Sequence, residues 1–351
     1  MRTILILLLL AVLGIGGWLA WALWMPITPE GRKLVLLRPG YSTRRIAAEL
    51  KSAGVIRSRL AFVLWHRIHR KQSLKAGEYL FERPANALDI HGRLARGDIY
   101  VHTVVIPEGY TMFDIAQAVQ DAGLGSRQEF LEVAQSDLEL ISDLAPQAKN
   151  LEGYLFPNTY QFTRTQNMKD IVAAMVKQFR QVAEEIGLTS TVQDNNVQRT
   201  ELEKNGAQKR TLVETDLQKT VTMASIIEKE TAVAEERPLV ASVYYNRLTK
   251  NMALQADPSV IYAELLDGTY GGMLHHSDMR FKSLYNTYTH AGLPPGPIGN
   301  PGRTSLEAAM RPANTNYYYF VSDGNGHHRF SHSLEEHNQN VARLRQAVKE
   351  K

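Results

Sequence analysis

The sequence predicts an α+β protein hung from one N-terminal transmembrane helix. Three observations carry this: a charge-free apolar run from Thr3 to Met25, a strand-helix pattern that occurs twice at an offset of 69 residues, and a C-terminal part in which helices lead into a β-hairpin. With 351 residues, 44% hydrophobic and 22% charged, the chain holds material for about two domains beyond the anchor.

At ~1.5 Å per residue the run from Thr3 to Met25 is roughly 34 Å long, enough to cross a hydrocarbon core of about 30 Å. Trp18, Trp21 and Trp24 recur at its far end, where indole rings favour the headgroup layer. Ala20-Trp21-Ala22 has the small-x-small form of a signal-peptide cleavage site. The run is longer than a signal-peptide core, however, and tryptophans crowd the would-be cut, so the reading is a retained anchor. Charges do not orient it, since Arg2 lies on one side and Arg32, Lys33 and Arg38 on the other.

An apolar strand around Leu36-Leu37 runs through Pro39-Gly40-Tyr41-Ser42 into a short helix with Ile46, Ala47 and Leu50 inward, closed by Gly54. The order returns at Val104-Val105-Ile106, then Pro107-Glu108-Gly109-Tyr110-Thr111, then Ile115, Ala116, Val119 and Gly123. This is an internal duplication, and composition alone makes it an ordinary α+β spacer as readily as a glycan-binding unit. Between the copies, Ala76 to Phe81 reads as a strand and Leu88 to Leu94 as a helix. An aromatic, turn-rich segment from Leu151 to Tyr160 precedes a helix from Met168 to Gly187. Thr189 to Gln208 is polar and reads as a linker or surface loop.

From Thr215 the pattern is helical, and Leu217, Val221, Ala224 and Glu228 fall within an arc of about 60°. A carboxylate therefore ends an apolar stripe, where desolvation raises its pKa and suits it to donate a proton near neutral pH. The periodicity leaves open a structural carboxylate bonded to a neighbouring loop. Lys229 and Glu230 point elsewhere on this helix and read as solvated. Pro238 opens the next helix, and Leu254 to Val260 turns into another that runs through Tyr262 and Leu266. Gly292 to Gly302 is dense in proline and glycine, which predicts a rigid loop shaping a cleft. Thr304-Ser305-Leu306-Glu307 and Ser333-Leu334-Glu335-Glu336 have the capping-box pattern for the last two helices. Tyr317 to Val321 and His328 to Phe330 read as a hairpin around Asp323-Gly324-Asn325-Gly326.

Several chemistries are excluded. Without cysteine there is no disulfide, thiolate nucleophile or thiolate ligand. His275, His276, His290, His327, His328, His332 and His337 crowd the C-terminal part, yet none has metal-ligand spacing, so no metal is expected. Lys229 has no phosphate-cradling glycine loop nearby, which argues against a pyridoxal site, and no Gly-x-Ser-x-Gly elbow is present; no cofactor is expected. A net charge of +4 comes from scattered basic residues and gives no nucleic-acid footprint.

The segments Ala224-Ser225-Ile226-Ile227-Glu228-Lys229-Glu230-Thr231, Leu254-Gln255-Ala256-Asp257-Pro258, Tyr285-Asn286-Thr287-Tyr288, Gly292-Leu293-Pro294-Pro295-Gly296 and Tyr319-Phe320-Val321 resemble, in this order, the MltG/YceG-like family of endolytic murein transglycosylases. The resemblance extends to Leu151–Tyr160 and to the Gly-Tyr units, which look like the family's LysM-like part. Asn158 departs from the family's usual aspartate, and Leu284 stands where proline is common.

The resemblance implies a division into an anchor (1–28), a duplicated LysM-like peptidoglycan-binding region (29–160), a connecting helix and linker (161–212) and a mixed helical catalytic domain ending in the hairpin (213–351). It implies a single-pass inner-membrane protein with its catalytic part in the periplasm, acting on peptidoglycan glycan strands beside cell-wall synthases. The expected reaction is cleavage of the β-1,4 bond between N-acetylmuramic acid and N-acetylglucosamine in nascent strands, leaving 1,6-anhydro ends and ending strand elongation. Glu228 would be the single acid and base, because the sugar's own C6 hydroxyl replaces the nucleophile that calls for a second carboxylate in ordinary glycosidases. Gln255, Asp257, Asn286, Thr287 and Tyr288 are the candidate substrate-binding residues, with Tyr285 as a stacking wall; loop bracing is the alternative for each. The rival to the enzyme is a non-catalytic, membrane-anchored scaffold that binds peptidoglycan.

Overall fold

The computed structural model describes residues 2–69, 71–188 and 216–349, so the expected linker at Thr189–Gln208 lies outside the described residues. The chain is a mixed α+β protein divided into two compact units. The first holds residues 1–104, 122–124 and 161–167, and the second 105–121, 125–160 and 168–351.

In the first unit, α1 (Arg2–Trp24) is one uninterrupted apolar helix, long enough to cross a membrane and exposed along most of its length. Only its end is covered: Ala22 and Leu23 join a core formed by β1 (Lys33–Leu37), α2 (Thr43–Ser52), α3 (Arg59–Ile68), β2 (Gly77–Phe81) and α4 (Ala87–Arg96). β1 and β2 pair antiparallel with Val35 opposite Tyr79. Glu78 on β2 is buried and bonds His102 at 2.6 Å and Arg164 at 2.9 Å, so one carboxylate ties three stretches of this unit together.

The duplication is visible residue by residue. α2 and α5 (Met112–Asp121) have bounds 69 apart, and Ile46, Ala47 and Leu50 are buried in one as Ile115, Ala116 and Val119 are in the other. Each is entered from a glycine with left-handed φ, +83° at Gly40 and +78° at Gly109. That backbone region is open to glycine at no steric cost, which is why the same residue stands at both turns.

The remaining elements are β3 (His102–Val105), α6 (Arg127–Ser136), β4 (Thr159–Phe162) and α7 (Met168–Ile186), followed by the helices that carry the site. Among the described residues, β3 and β4 form the second of three two-stranded sheets. Central to the second unit is α8 (Leu217–Glu230), with α9 (Arg237–Thr249), α10 (Asp257–Asp267) and α11 (Arg303–Met310) packed against it. The sequence predicts one apolar stripe on α8, but the helix is buried on nearly every side from Thr220 to Ile227. Its polar residues tolerate this by local bonding. Thr222 donates to Gln218 O at 2.8 Å, and Ser225 donates to Thr222 O at 2.7 Å while accepting from the Ile298 N–H at 3.0 Å.

β5 (Tyr319–Ser322) and β6 (His328–Ser331) form the expected hairpin, whose turn closes as Asp323 Oδ1 accepts from the Asn325 and His327 N–H groups. α12 (Leu334–Lys349) covers it. The capping boxes need correction. α11 begins at Gly302 with no side-chain cap, and Thr304 instead bonds Arg237. Ser333 does cap α12 by accepting from Glu336 N, but the Glu336 carboxylate turns to His332 N.

Candidate active site

Glu228 lies in the last turn of α8, where the helix leaves the core and Thr231 takes an extended conformation. Its side chain is 5% exposed. Oε1 accepts from Arg237 Nη2 at 2.8 Å, and Oε2 accepts from the Gly302 N–H at 2.9 Å. Both donors are delivered by helix starts. A single turn from Ala234 to Glu236 reverses the chain so that Arg237 opens α9 beside Pro238, while Gly302 is the N-cap of α11, whose free N–H groups favour negative charge. Burial raises the Glu228 pKa above the ordinary carboxylate range; the Gly302 N–H, the Arg237 charge and the Ser305 hydroxyl oppose this, and Glu108 adds to it. Burial is the largest of these influences, so the acid form persists to higher pH than in a free glutamate.

A cleft of about 460 Å³ opens on Glu228, lined by Glu108, Gly109, Tyr110, Lys229, Glu230, Thr231, Ala232 and Arg237. One wall is thus the Gly-Tyr turn of the second repeat. Its backbone approaches so closely that a methyl group on Gly109 would meet Glu228 Cγ at 3.4 Å, and one on Gly299 would meet the Gly109 carbonyl oxygen at 2.9 Å. Glu108 Oε2 is 3.5 Å from Arg237 Nη2. The cleft therefore holds a second carboxylate, half exposed and directed at the same Arg237 nitrogen that bonds Glu228.

Behind the wall, Asn300 joins three loops. Its Oδ1 accepts from Gly153 N and Leu155 N at 2.9 and 2.8 Å, while Nδ2 donates to Tyr110 O at 2.9 Å and to Glu152 Oε1 at 2.6 Å. Glu152 is fully buried and accepts from Met112 N at the start of α5. Desolvation pushes its pKa up to about 8. The proline- and glycine-rich segment is thus tied to its surroundings by Asn300 and by the Ile298 N–H bond to Ser225.

Of the other predicted residues, Asp257 and Tyr288 lie near Glu230. Tyr288 donates to Asp257 Oδ1 at 2.5 Å, and Glu230 accepts from Tyr244 at 2.8 Å with Asp257 near enough to disfavour its charge. The expectation that Glu230 is solvated is wrong. Tyr244 from α9 takes its carboxyl into the interior, and burial pushes its pKa up to about 7. Asn286 and Thr287 are fully buried. Asn286 donates to the Met279 and Phe281 carbonyls and braces that turn, while Thr287 Oγ1 accepts from Ala256 N at 2.9 Å and meets Ser259 Oγ at 2.8 Å and so braces the 254–259 turn. That turn carries Gln255, exposed and with φ +54°, a rare conformation for a non-glycine residue. Tyr285 packs on Tyr262 with ring centroids 5.1 Å apart. Lys229 is exposed at the cleft rim.

Sequence reasoning did not assign Glu108, Arg237, Asn300 or Gly302 to the site. The available signals were Glu108 preceding the repeated Gly-Tyr pair and Arg237 preceding the helix-opening proline.

The profile of the YceG-like family matches residues 35–343. The chain belongs to the YceG-like family. Among family relatives, an endolytic murein transglycosylase of Bacillus subtilis is 34% identical over 315 residues, covering 85% of this chain and 81% of that one. A second protein of the same name, from Streptococcus pneumoniae, is 28% identical, and its alignment covers 96% of this chain but only 64% of the streptococcal one. The crystal structure of a YceG-like protein from Listeria monocytogenes is similar in fold, with a TM-score of 0.55 and 32% identity over 88% of this chain and 98% of that chain.

Proposed function

We propose that this YceG-like protein is an endolytic murein transglycosylase in which Glu228 moves the proton. The observation that carries the reading is the carboxyl group of Glu228: desolvated, raised in pKa, facing an open cleft, and bonded by one guanidinium and one backbone N–H. The names of its relatives supply the substrate, murein.

Glu228 in its acid form protonates the glycosidic oxygen as the bond from the N-acetylmuramic acid C1 breaks. The resulting carboxylate is held by Arg237 and Gly302, and then takes the proton of the same sugar's C6 hydroxyl as that oxygen closes on C1. The proton given is recovered, no water is consumed, and the product end is a 1,6-anhydro sugar. Glu108 is half exposed and paired with Arg237, which suits it to tune the acid rather than to act as a nucleophile. Asn286 and Thr287 have every side-chain polar group already bonded, and Thr287 sets the turn that presents Gln255 and Asp257. Those two, with Tyr288 and Tyr285, are the side chains left to meet sugar.

The wider reading follows the same line. Residues 1–28 anchor the chain, 29–160 act as a LysM-like glycan-holding region, 161–212 connect, and 213–351 catalyse. The catalytic part faces the periplasm, where cutting nascent strands beside the synthases ends their elongation.

The test is incubation of the purified protein with isolated peptidoglycan, followed by mass analysis of soluble fragments. Anhydro-ended products, lighter by one water than hydrolysis products, are expected from the native chain and not from Glu228→Gln of equal thermal stability. Reducing ends would make the enzyme a hydrolase, and binding without release would leave only a scaffold.

A further inference from the structure

The exposed side of α3 carries an apolar stripe that nothing in the described residues covers. Leu60, Leu64 and Ile68 are 59%, 38% and 77% exposed. Spaced four apart, they fall within an arc of about 80° on one side of the helix. Single exposed leucines are ordinary on a protein surface, but an aligned row beside a buried face is a contact surface.

Four contacts fix where this row sits. Ala22 and Leu23 at the end of α1 share a core with Ala61 and Phe62 of α3. The Trp24 ring meets the Trp65 ring edge-on at 6.1 Å. The Arg57 guanidinium lies over the Trp21 ring at 4.8 Å, and it donates to the Met25 and Pro26 carbonyls at 3.4 and 3.0 Å. These bonds hold the start of α3 to the last turn of α1. The last two turns of α1 bear the exposed Trp18, Trp21 and Trp24, which mark the level of the lipid headgroups if α1 spans the bilayer. Helix α3 is therefore held at the depth where an amphipathic helix lies in the interface.

Charge selects the same partner. Between Gly54 and Gly77 the sequence contains Arg57, Arg59, Arg67, Arg70, Lys71 and Lys75, and no aspartate or glutamate. Arg67 flanks the row on the helix and Lys71 follows it, both exposed. An apolar row rimmed by cations fits the surface of a bilayer containing anionic lipid.

We propose that α3 is a second membrane contact, lying through Leu60, Leu64 and Ile68 on the anionic lipid surface from which α1 emerges. The first unit is then seated on the bilayer instead of swinging on a tether. This inference rests on α1 being a membrane span, and its test separates the two.

Because the chain has no cysteine, single-cysteine variants of the full-length protein report cleanly. Leu64→Cys and Ile68→Cys, labelled with an environment-sensitive fluorophore, are reconstituted in vesicles of phosphatidylethanolamine with a minority of phosphatidylglycerol. Headgroup-level nitroxide lipids are expected to quench both labels, and aqueous iodide to reach them several-fold less than Arg59→Cys on the other side of the helix. The protection should shrink in pure phosphatidylcholine. Equal iodide access at 59, 64 and 68 overturns the proposal, and so does shielding from both iodide and lipid nitroxide, which means that protein covers the row. Leu8→Cys in α1 is the control. If deep nitroxide lipids fail to quench it, the anchor reading fails and takes this inference with it; if Leu8→Cys is quenched while 64 and 68 are not, α3 alone is off the membrane. A Leu60→Cys label should lose its lipid quenching when Leu64→Asn and Ile68→Asn are added, and unchanged quenching there also overturns the proposal.

Discussion

Arg237 donates to Glu228 Oε1 at 2.8 Å with both side chains more than nine-tenths buried. A guanidinium in this position favours the carboxylate, whereas burial favours the acid, and burial prevails. The group thus keeps its proton to higher pH than a free glutamate does, and its conjugate base has two donors already in place.

Replacing Arg237 with glutamine should therefore raise the Glu228 pKa further. The alkaline limb of kcat/KM, where the acid form is lost, is expected to move to higher pH. The height of the profile should also fall, since the new base lacks its partner. A pH profile of product release checks both, and a limb that stays in place would separate Arg237 from the acid.

Glu108→Gln should act in the opposite sense. Its negative charge helps to keep Glu228 protonated, so its removal lowers the Glu228 pKa and brings the alkaline limb down. Glu108 is about half exposed, so the displacement is a fraction of that produced at Arg237 and shrinks as salt is added. The two variants measured in one buffer series should flank the native profile.

Asn300→Ala should cost about 2–4 kcal/mol of stability, because the N–H groups of Gly153 and Leu155 and one Glu152 oxygen lose their partner inside the protein. Urea denaturation of the purified chain measures this. Activity should fall more than stability predicts, since the Tyr110 carbonyl at the cleft wall loses the Asn300 Nδ2 donor and keeps only the Asn300 backbone N–H.

Glu152 makes a pH prediction of defined sign. Its folded pKa of about 8 exceeds the ordinary value of 4.5, so the folded chain holds a proton that the unfolded chain has released across that interval. This contribution to stability is full below about pH 4.5 and is lost as pH rises through 8. Melting temperatures taken between pH 5 and 8 should decline for the native protein, and less steeply for Glu152→Gln.

Much of the scaffold was legible because its signals are local. The glycine at each repeat turn and the helical phase that led to Glu228 both act within a few residues. The environment of Glu228 was not legible, because Glu108, Arg237 and Gly302 come from three separate stretches and meet only once α8, α9 and α11 have packed. Glu230 was misread for the same reason: helical phase ranks faces within one helix and is silent about Tyr244 on the next. Asn286 and Thr287 were recognisable as a motif, but their role was not, since motif spacing does not reveal which polar groups are already satisfied.

The repeat has one further consequence. Gly40 and Gly109 occupy the same left-handed turn, but a methyl group on Gly40 would meet open space and one on Gly109 would meet Glu228. One strand-turn-helix thus occurs twice in the chain, with one turn set against the Glu228 carboxyl and the other facing open space. The molecule carries its own matched pair. Alanine at either glycine incurs a similar conformational strain, and whatever more it costs at Gly109 is the share that belongs to chemistry.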